Sequence, residues 1–160
     1  MSSMIDHCAE LEREEGEMQV VTVKISEMTP DERRIASQWL TDKIRLNSGK
    51  NISFPEEWLP TTGLSARIDN GPLLAVATLY LEKSTPVSVC GWCIANPFNS
   101  ARESEQAVRA LLSSMPDYAV KQGAAWILTT FGNRGINRIL NELGYVQGEN
   151  SETKFKNLRA

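Results

Sequence analysis

In "MQVVTVKIS", residues 18–26, Val21, Val23 and Ile25 alternate with Thr22 and Lys24, a period of two that predicts a strand. The pattern then turns helical. Thr29 stands as an N-cap, Pro30 takes the first helical position, and Glu32 closes a capping box. Ile35, Trp39 and Ile44 carry this helix to a stop near Asn47-Ser48-Gly49. "FPEEWLPTTG" reads as a short helical turn or loop between prolines. "LSARID" and "PLLAVATLYLE" flank Asn70-Gly71, the strongest short hairpin signal. "KSTP" turns the chain into a third strand, "VSVCGWCIA". A helix follows from about Ser100 to Gln122, in which Pro116 is expected to kink or shorten the run. Then come a strand in "AAWILTT", a helix from Asn133 to Leu143, and a last strand or two in "GYVQGE" and "TKFKNL".

This order is an antiparallel meander followed by helix–strand–helix–strand. It predicts an α/β fold with a mixed sheet and helices on its faces. The segment around Ser88–Ala95 should lie centrally, with "AAWILTT" parallel to it and splayed away at one end, because a strand–helix–strand connection joins them.

Composition changes the picture little. The 160 residues are 41% hydrophobic and 23% charged, an ordinary globular balance that supports one domain. No apolar run is long enough to span a bilayer, and the N-terminus lacks the pattern of a signal peptide, so a cytoplasmic compartment is expected. Charge is informative. Residues 1–17 hold six acids and one base, a net of −5, and the whole chain carries −3, so the remainder stands at +2. That argues against a broad nucleic-acid face and allows a small anionic ligand. We divide the chain into an acidic helical arm, residues 1–17, and a domain, residues 18–160. In the arm, Met4, Cys8 and Leu11 form an apolar stripe expected to dock on the body or on a protein partner.

The cysteines are Cys8, Cys90 and Cys93. "CGWC" matches C-x-x-C but lies inside a strand, where odd spacing sends the two thiols to opposite faces. Without a second Cys or His pair, no metal site is expected, and buried strand cysteines are the plainer reading. Gly91 between them marks a bulge or a close approach of backbone. His7, the single histidine, lies in the arm, which argues against Ser-His-Asp or Cys-His chemistry. The four tryptophans, Trp39, Trp58, Trp92 and Trp126, read as core or groove wall.

The element order resembles the GNAT family of N-acetyltransferases over roughly residues 18–158. "GAAWILTTFGNRGINRILNELGYVQGE" looks like the family's strand-plus-helix segment, opened by an Asn (Asn133) and closed by Gly144-Tyr145. "IANPFNSARESEQAVRALL" takes the place where the family runs from a splayed central strand, one arm of a V-shaped opening, into its cofactor loop. The resemblance implies acetyl-CoA as co-substrate and acyl transfer to an amine, with backbone amides around Ile94 to Asn96 for the carbonyl oxygen. Two departures stand out. The family's loop carries glycines, and this chain has none between Gly91 and Gly123. The family's frequent acid Tyr falls here on Leu140. "NSARES" also resembles divergent GNAT-like proteins of bacteriophages, some of them virion components.

At the helix start, Ser100 and Arg102 have two readings. First-turn amides, the Ser100 hydroxyl and the Arg102 guanidinium suit a phosphate, with Glu103 opposing it. Alternatively Ser100 only caps the helix and Arg102 is solvated. Asn133 is likewise a cap or, by resemblance, a cofactor contact. Tyr145 reads as a core aromatic at the start of a strand, and Glu82 as a strand-end acid that a water could recruit as a base. No catalytic residue is assigned. The leading reading is an acyl-CoA-dependent N-acyltransferase whose amine acceptor is unread. The alternative is a non-catalytic GNAT-like interaction or virion protein, in the host cytoplasm or the virion.

Overall fold

The computed structural model describes residues 22–148. Both the acidic arm and "TKFKNL" lie outside them. The described elements are β1 (Val23–Glu27), α1 (Pro30–Ser48), a 3₁₀ turn (Glu56–Trp58), β2 (Gly63–Ile68), β3 (Leu73–Leu81), β4 (Val87–Ala95), α2 (Ala101–Lys121), β5 (Trp126–Thr129) and α3 (Arg134–Glu142). The strands form one sheet in sequence order, antiparallel throughout except for the parallel pair β4–β5. The expected mixed sheet is therefore present, with β4 inside it between β3 and β5, although the middle strand is β3.

The ends of the helices follow from their caps. Thr29 and Glu32 form the predicted capping box, and Gly49 closes α1 in the left-handed region at φ 69°. In the β2–β3 turn it is Asn70, at φ 56°, that adopts the left-handed conformation; Gly71 instead lies where a Cβ would stand 2.8 Å from the Ile68 Cβ.

Two apolar clusters lie on opposite faces of the sheet. Leu111, Leu112 and Met115 of α2, all fully buried, pack against Leu74, Ala77 and Leu79 of β3. On the other face, Ala36 and Trp39 of α1 pack against Val76 and Ile94. A fully buried Leu contributes about 1.5–3 kcal/mol, so α2 is the main anchor of the fold.

Three expectations are corrected. Pro116 does not shorten α2, which continues to Lys121. Proline deprives the Leu112 carbonyl of its helical donor. The Tyr145 hydroxyl supplies the missing bond, donating to that carbonyl at 2.9 Å. Tyr145→Phe should therefore cost about 1–2 kcal/mol by leaving a buried carbonyl unpaired. Adding Pro116→Ala, which restores an N–H there, should recover most of that loss in urea unfolding.

The described part of "GYVQGE", residues 144–148, forms no strand. Gly144 turns the chain at φ 87°, and the Tyr145 amide bonds back to the Leu140 carbonyl, so the backbone is occupied in ending α3.

The third correction concerns the cysteines. Register between β3 and β4 shifts between Thr78 and Tyr80, where β4 carries an extra residue around Cys90-Gly91. Beyond this bulge the side-chain alternation is reversed. Cys90 and Cys93 thus pack against the same cluster rather than opposite ones. Gly91 is needed here because a Cβ would stand 2.8 Å from the Tyr80 ring.

Candidate acyl-transfer site

Pairing of β4 with β5 runs from Val87–Trp126 to Cys90–Thr129 and stops, while β4 continues to Ala95. The splay expected from the sequence is this unpaired stretch beyond the bulge. Which amides face it follows from the other side of the strand. Asn96 N donates to the Leu74 carbonyl at 2.9 Å. Antiparallel bonding alternates, so Ile94 and Trp92 also bond towards β3. The peptide groups that point into the opening belong to Cys93 and Ala95. Sequence reasoning named Ile94 and Asn96; the parity that separates the two pairs follows from the β3–β4 register. Ile94 keeps its side chain buried among the α1-side cluster.

The join between β4 and α2 is held by polar side chains in place of glycine. Asn96 Oδ1 accepts from the Phe98 amide at 3.0 Å, and Asn99 Nδ2 donates to the Leu74 carbonyl at 2.9 Å. Among the described residues only Asn70 is a non-glycine with positive φ, so this loop makes its turn without left-handed backbone. Ser100 Oγ accepts from the Glu103 amide at 3.1 Å, and Glu103 Oε1 accepts from the Ser100 amide at 2.9 Å. Ser100 is thus a cap, and the Glu103 carboxylate sits where a helix N-terminus would favour an anion. Arg102 in the same turn is exposed, as is Phe98, at 72%.

Asn133 caps α3, its Oδ1 accepting from the Ile136 amide at 3.1 Å. Because β4 and β5 are parallel, the starts of α2 and α3 lie beyond the same end of the sheet. Ser100, Arg102 and Asn133 therefore stand at the same end of the sheet, beyond the carboxyl ends of two parallel strands, a frequent place for ligands in open α/β sheets.

On the α1 side, four aromatic rings wall the bulge. Phe54 meets Trp58 and Trp92 edge to face, each with centroids 5.3 Å apart. Trp92 Nε1 donates to the Tyr80 hydroxyl at 2.9 Å, and that hydroxyl donates to the Trp58 carbonyl at 3.2 Å. Trp58 remains 62% exposed. This wall was missed as a unit, because its members come from distant segments.

Other candidate groups are engaged elsewhere. Leu140 is buried in the α2-side cluster. Burial pushes the Tyr145 hydroxyl up to about 12. Glu82 accepts from the Ser84 amide at 3.0 Å, and bonds from that backbone hold its carboxyl below the usual range, which makes it a poorer base. Burial raises both thiols, Cys90 to about 12, so neither is a ready nucleophile. Among the described residues no group of three or more His, Cys, Asp or Glu could hold a metal, and no helix is long and apolar enough to cross a membrane.

Solved acetyltransferases share the fold of this chain. A probable acetyltransferase matches at TM-score 0.62 and 15% identity, over 84% of this chain and 97% of its own. The chain has the GNAT acetyltransferase fold. An aminoglycoside acetyltransferase from an uncultured soil metagenomic sample, in complex with sisomicin, matches at TM-score 0.59 and 10% identity, over 85% of this chain and 96% of its own. The aminoglycoside acetyltransferase AAC(6')-Iy, in complex with a bisubstrate analogue of CoA, matches at TM-score 0.54 and 15% identity, over 85% of this chain and 99% of its own. No protein-family model matches the chain, and no curated protein matches it.

The site fits the extended arm of an acyl-CoA on one count and resists it on another. In this GNAT fold the Cys93 and Ala95 peptide groups offer an unpaired strand edge to amide groups of such an arm. The start of α2, holding its own carboxylate, accepts a pyrophosphate only when Glu103 turns aside.

Proposed function

We propose that the chain is an acyl-CoA-dependent N-acyltransferase, with acetyl-CoA as the co-substrate. The observation that supports this most is the unpaired β4 edge from Gly91 to Ala95. It presents peptide groups within a few residues of the α2 start. The Cys93 or Ala95 amide would polarise the acyl carbonyl, and the opening would hold the thioester in line with a free amine. Arg102, with the first-turn amides, would take the pyrophosphate. Asn133 would contact the cofactor from the other side. The acceptor amine would approach along the wall of Phe54, Trp58, Tyr80 and Trp92. A second reading, a non-catalytic domain of the same fold serving assembly in a bacteriophage particle, draws on the closed capping box at Ser100–Glu103 and the buried Leu140.

Calorimetry with acetyl-CoA separates the two. The enzyme reading expects a micromolar dissociation constant, about −8 kcal/mol at 1 μM. Arg102→Ala should weaken binding roughly ten- to a hundredfold, from the loss of a charge-assisted bond. Glu103→Gln keeps the capping box but removes the opposing charge. It should tighten binding about two- to fivefold. No acetyl-CoA heat from the wild type or from Glu103→Gln at high protein concentration rules out the enzyme reading.

A further inference from the structure

Helix α1 crosses the sheet. Near its start, Glu32 is bonded to Arg67 of β2. Lys43 lies eleven residues further on, about 16 Å along the axis. Between them Ala36 and Trp39 pack with Val76 of β3 and Ile94 of β4, so α1 passes over β3 onto β4, and Lys43 stands one turn beyond Trp39. There β5 has already ended at Thr129, and the edge of β4 is open. Lys43 is also in phase with the sheet-facing stripe of α1. It follows Ala36 and Trp39, both buried, and Leu40, packed on the same cluster, at helical spacing. An electrostatic interaction between Lys43 and Cys93 agrees with a position close to β4.

A lysine in such a place ordinarily has a carboxylate partner. Lys43 enters no ion pair or hydrogen bond among the described residues. It is half-buried, whereas Lys24, Lys50, Lys83 and Lys121 are exposed. Desolvation by burial disfavours the ammonium, and its pKa is lowered accordingly. The share of free amine is therefore larger than at the exposed lysines.

We propose that Lys43 is a self-acylation site, modified by the acyl-CoA bound at the open edge of β4. The inference rests on the acyl-CoA reading above. The Lys43 Nζ, as free amine, attacks the thioester carbonyl carbon. A C–N bond forms, the C–S bond breaks, and its electron pair leaves on sulfur. The proton lost from nitrogen goes to the thiolate, giving an amide and free CoA thiol. The product is neutral, so acylation removes a half-buried charge. It would act as a brake on transfer to external amines.

The test is incubation of the full chain with acetyl-CoA, followed by intact-mass and peptide analysis. One acetyl group is expected, on the peptide carrying Lys43, at least tenfold faster than on any other lysine. Lys43→Arg keeps the charge and should abolish that mark. Desulfo-CoA, which lacks the thioester, should suppress it by competition. The same samples are titrated with acetyl-CoA by calorimetry. Binding with no mark at Lys43, or with marks spread evenly over the exposed lysines, overturns the inference and leaves the acyl-CoA reading standing. Absence of binding overturns both.

Discussion

Arg67→Ala should destabilise the fold by about 3 kcal/mol at neutral pH, the low end of the range for breaking a buried ion pair. The Glu32 side chain is only 4% exposed, and its Oε2 accepts from Arg67 Nε at 3.0 Å and Nη2 at 2.9 Å. Its Oε1 accepts from the Thr29 amide at 2.9 Å. Without Arg67, a buried carboxylate keeps little beyond that amide. The low end applies because the Arg67 side chain is 40% exposed, so water replaces part of the loss. Burial pushes the Glu32 carboxyl up, but the bonds from Thr29 and Arg67 outweigh it and hold the group below 4.5. The wild-type contribution is therefore present above that value and lost as pH falls through the lower folded pKa. In Arg67→Ala burial dominates, the folded pKa rises, and mild acid relieves the buried charge. The penalty in urea unfolding should accordingly shrink between pH 7 and pH 5. Glu32→Gln in the same background keeps the capping box and should recover much of the loss at pH 7. A penalty below about 1 kcal/mol at pH 7 would show that Glu32 tolerates burial unpaired.

The elements that could be read from sequence are those whose signals are local. Thr29-Pro30-x-Glu32, the alternation in β3 and the Asn70-Gly71 turn act within a few residues, and the helix and strand order followed from them. What sequence hid depends on register. One extra residue at Cys90-Gly91 reverses the facing of everything after it in β4. That reversal puts both thiols on one face. The choice between Ile94 with Asn96 and Cys93 with Ala95 as the open amides is a matter of the same register. Pro116 misled for a similar reason: its effect depends on Tyr145, twenty-nine residues away in sequence. The candidate site was legible as a place, the join of β4 and α2, because a helix cap leaves a sequence mark. The aromatic wall and Lys43 were not, because what surrounds them comes from segments distant in sequence.

Above pH 9 the protein should lose stability steeply, and Cys90 should be a main cause. Burial raises the Cys90 thiol from 9.0 to about 12, and raises Tyr145 from 10.0 to about 12 with Cys90 adding to it. A raised folded pKa means that the unfolded chain releases its proton first. The stability held by each neutral group is full below its unfolded value and is lost as pH rises through the folded one. At pH 11, two units above the unfolded thiol value, Cys90 alone should account for about 2.7 kcal/mol. Tyr145 should add about 1 kcal/mol over its first unit, less than additively, because the two groups interact. Burial raises the Cys93 thiol at least as far, so it adds a loss of similar size. Lys43 works in the opposite sense, since its lowered pKa makes the fold gain as that ammonium deprotonates. Together the losses are a large part of the roughly 5–15 kcal/mol that holds a domain. Urea unfolding at pH 8, 10 and 11 reads the slope directly. Cys90→Ala should flatten it by roughly two fifths between pH 9 and 11, at a modest cost at pH 8 where the thiol is neutral in both states. A variant with the wild-type slope would mean that the Cys90 thiol does not stay protonated in the fold, and that the bulge at Gly91 admits water to the strand beneath the open edge.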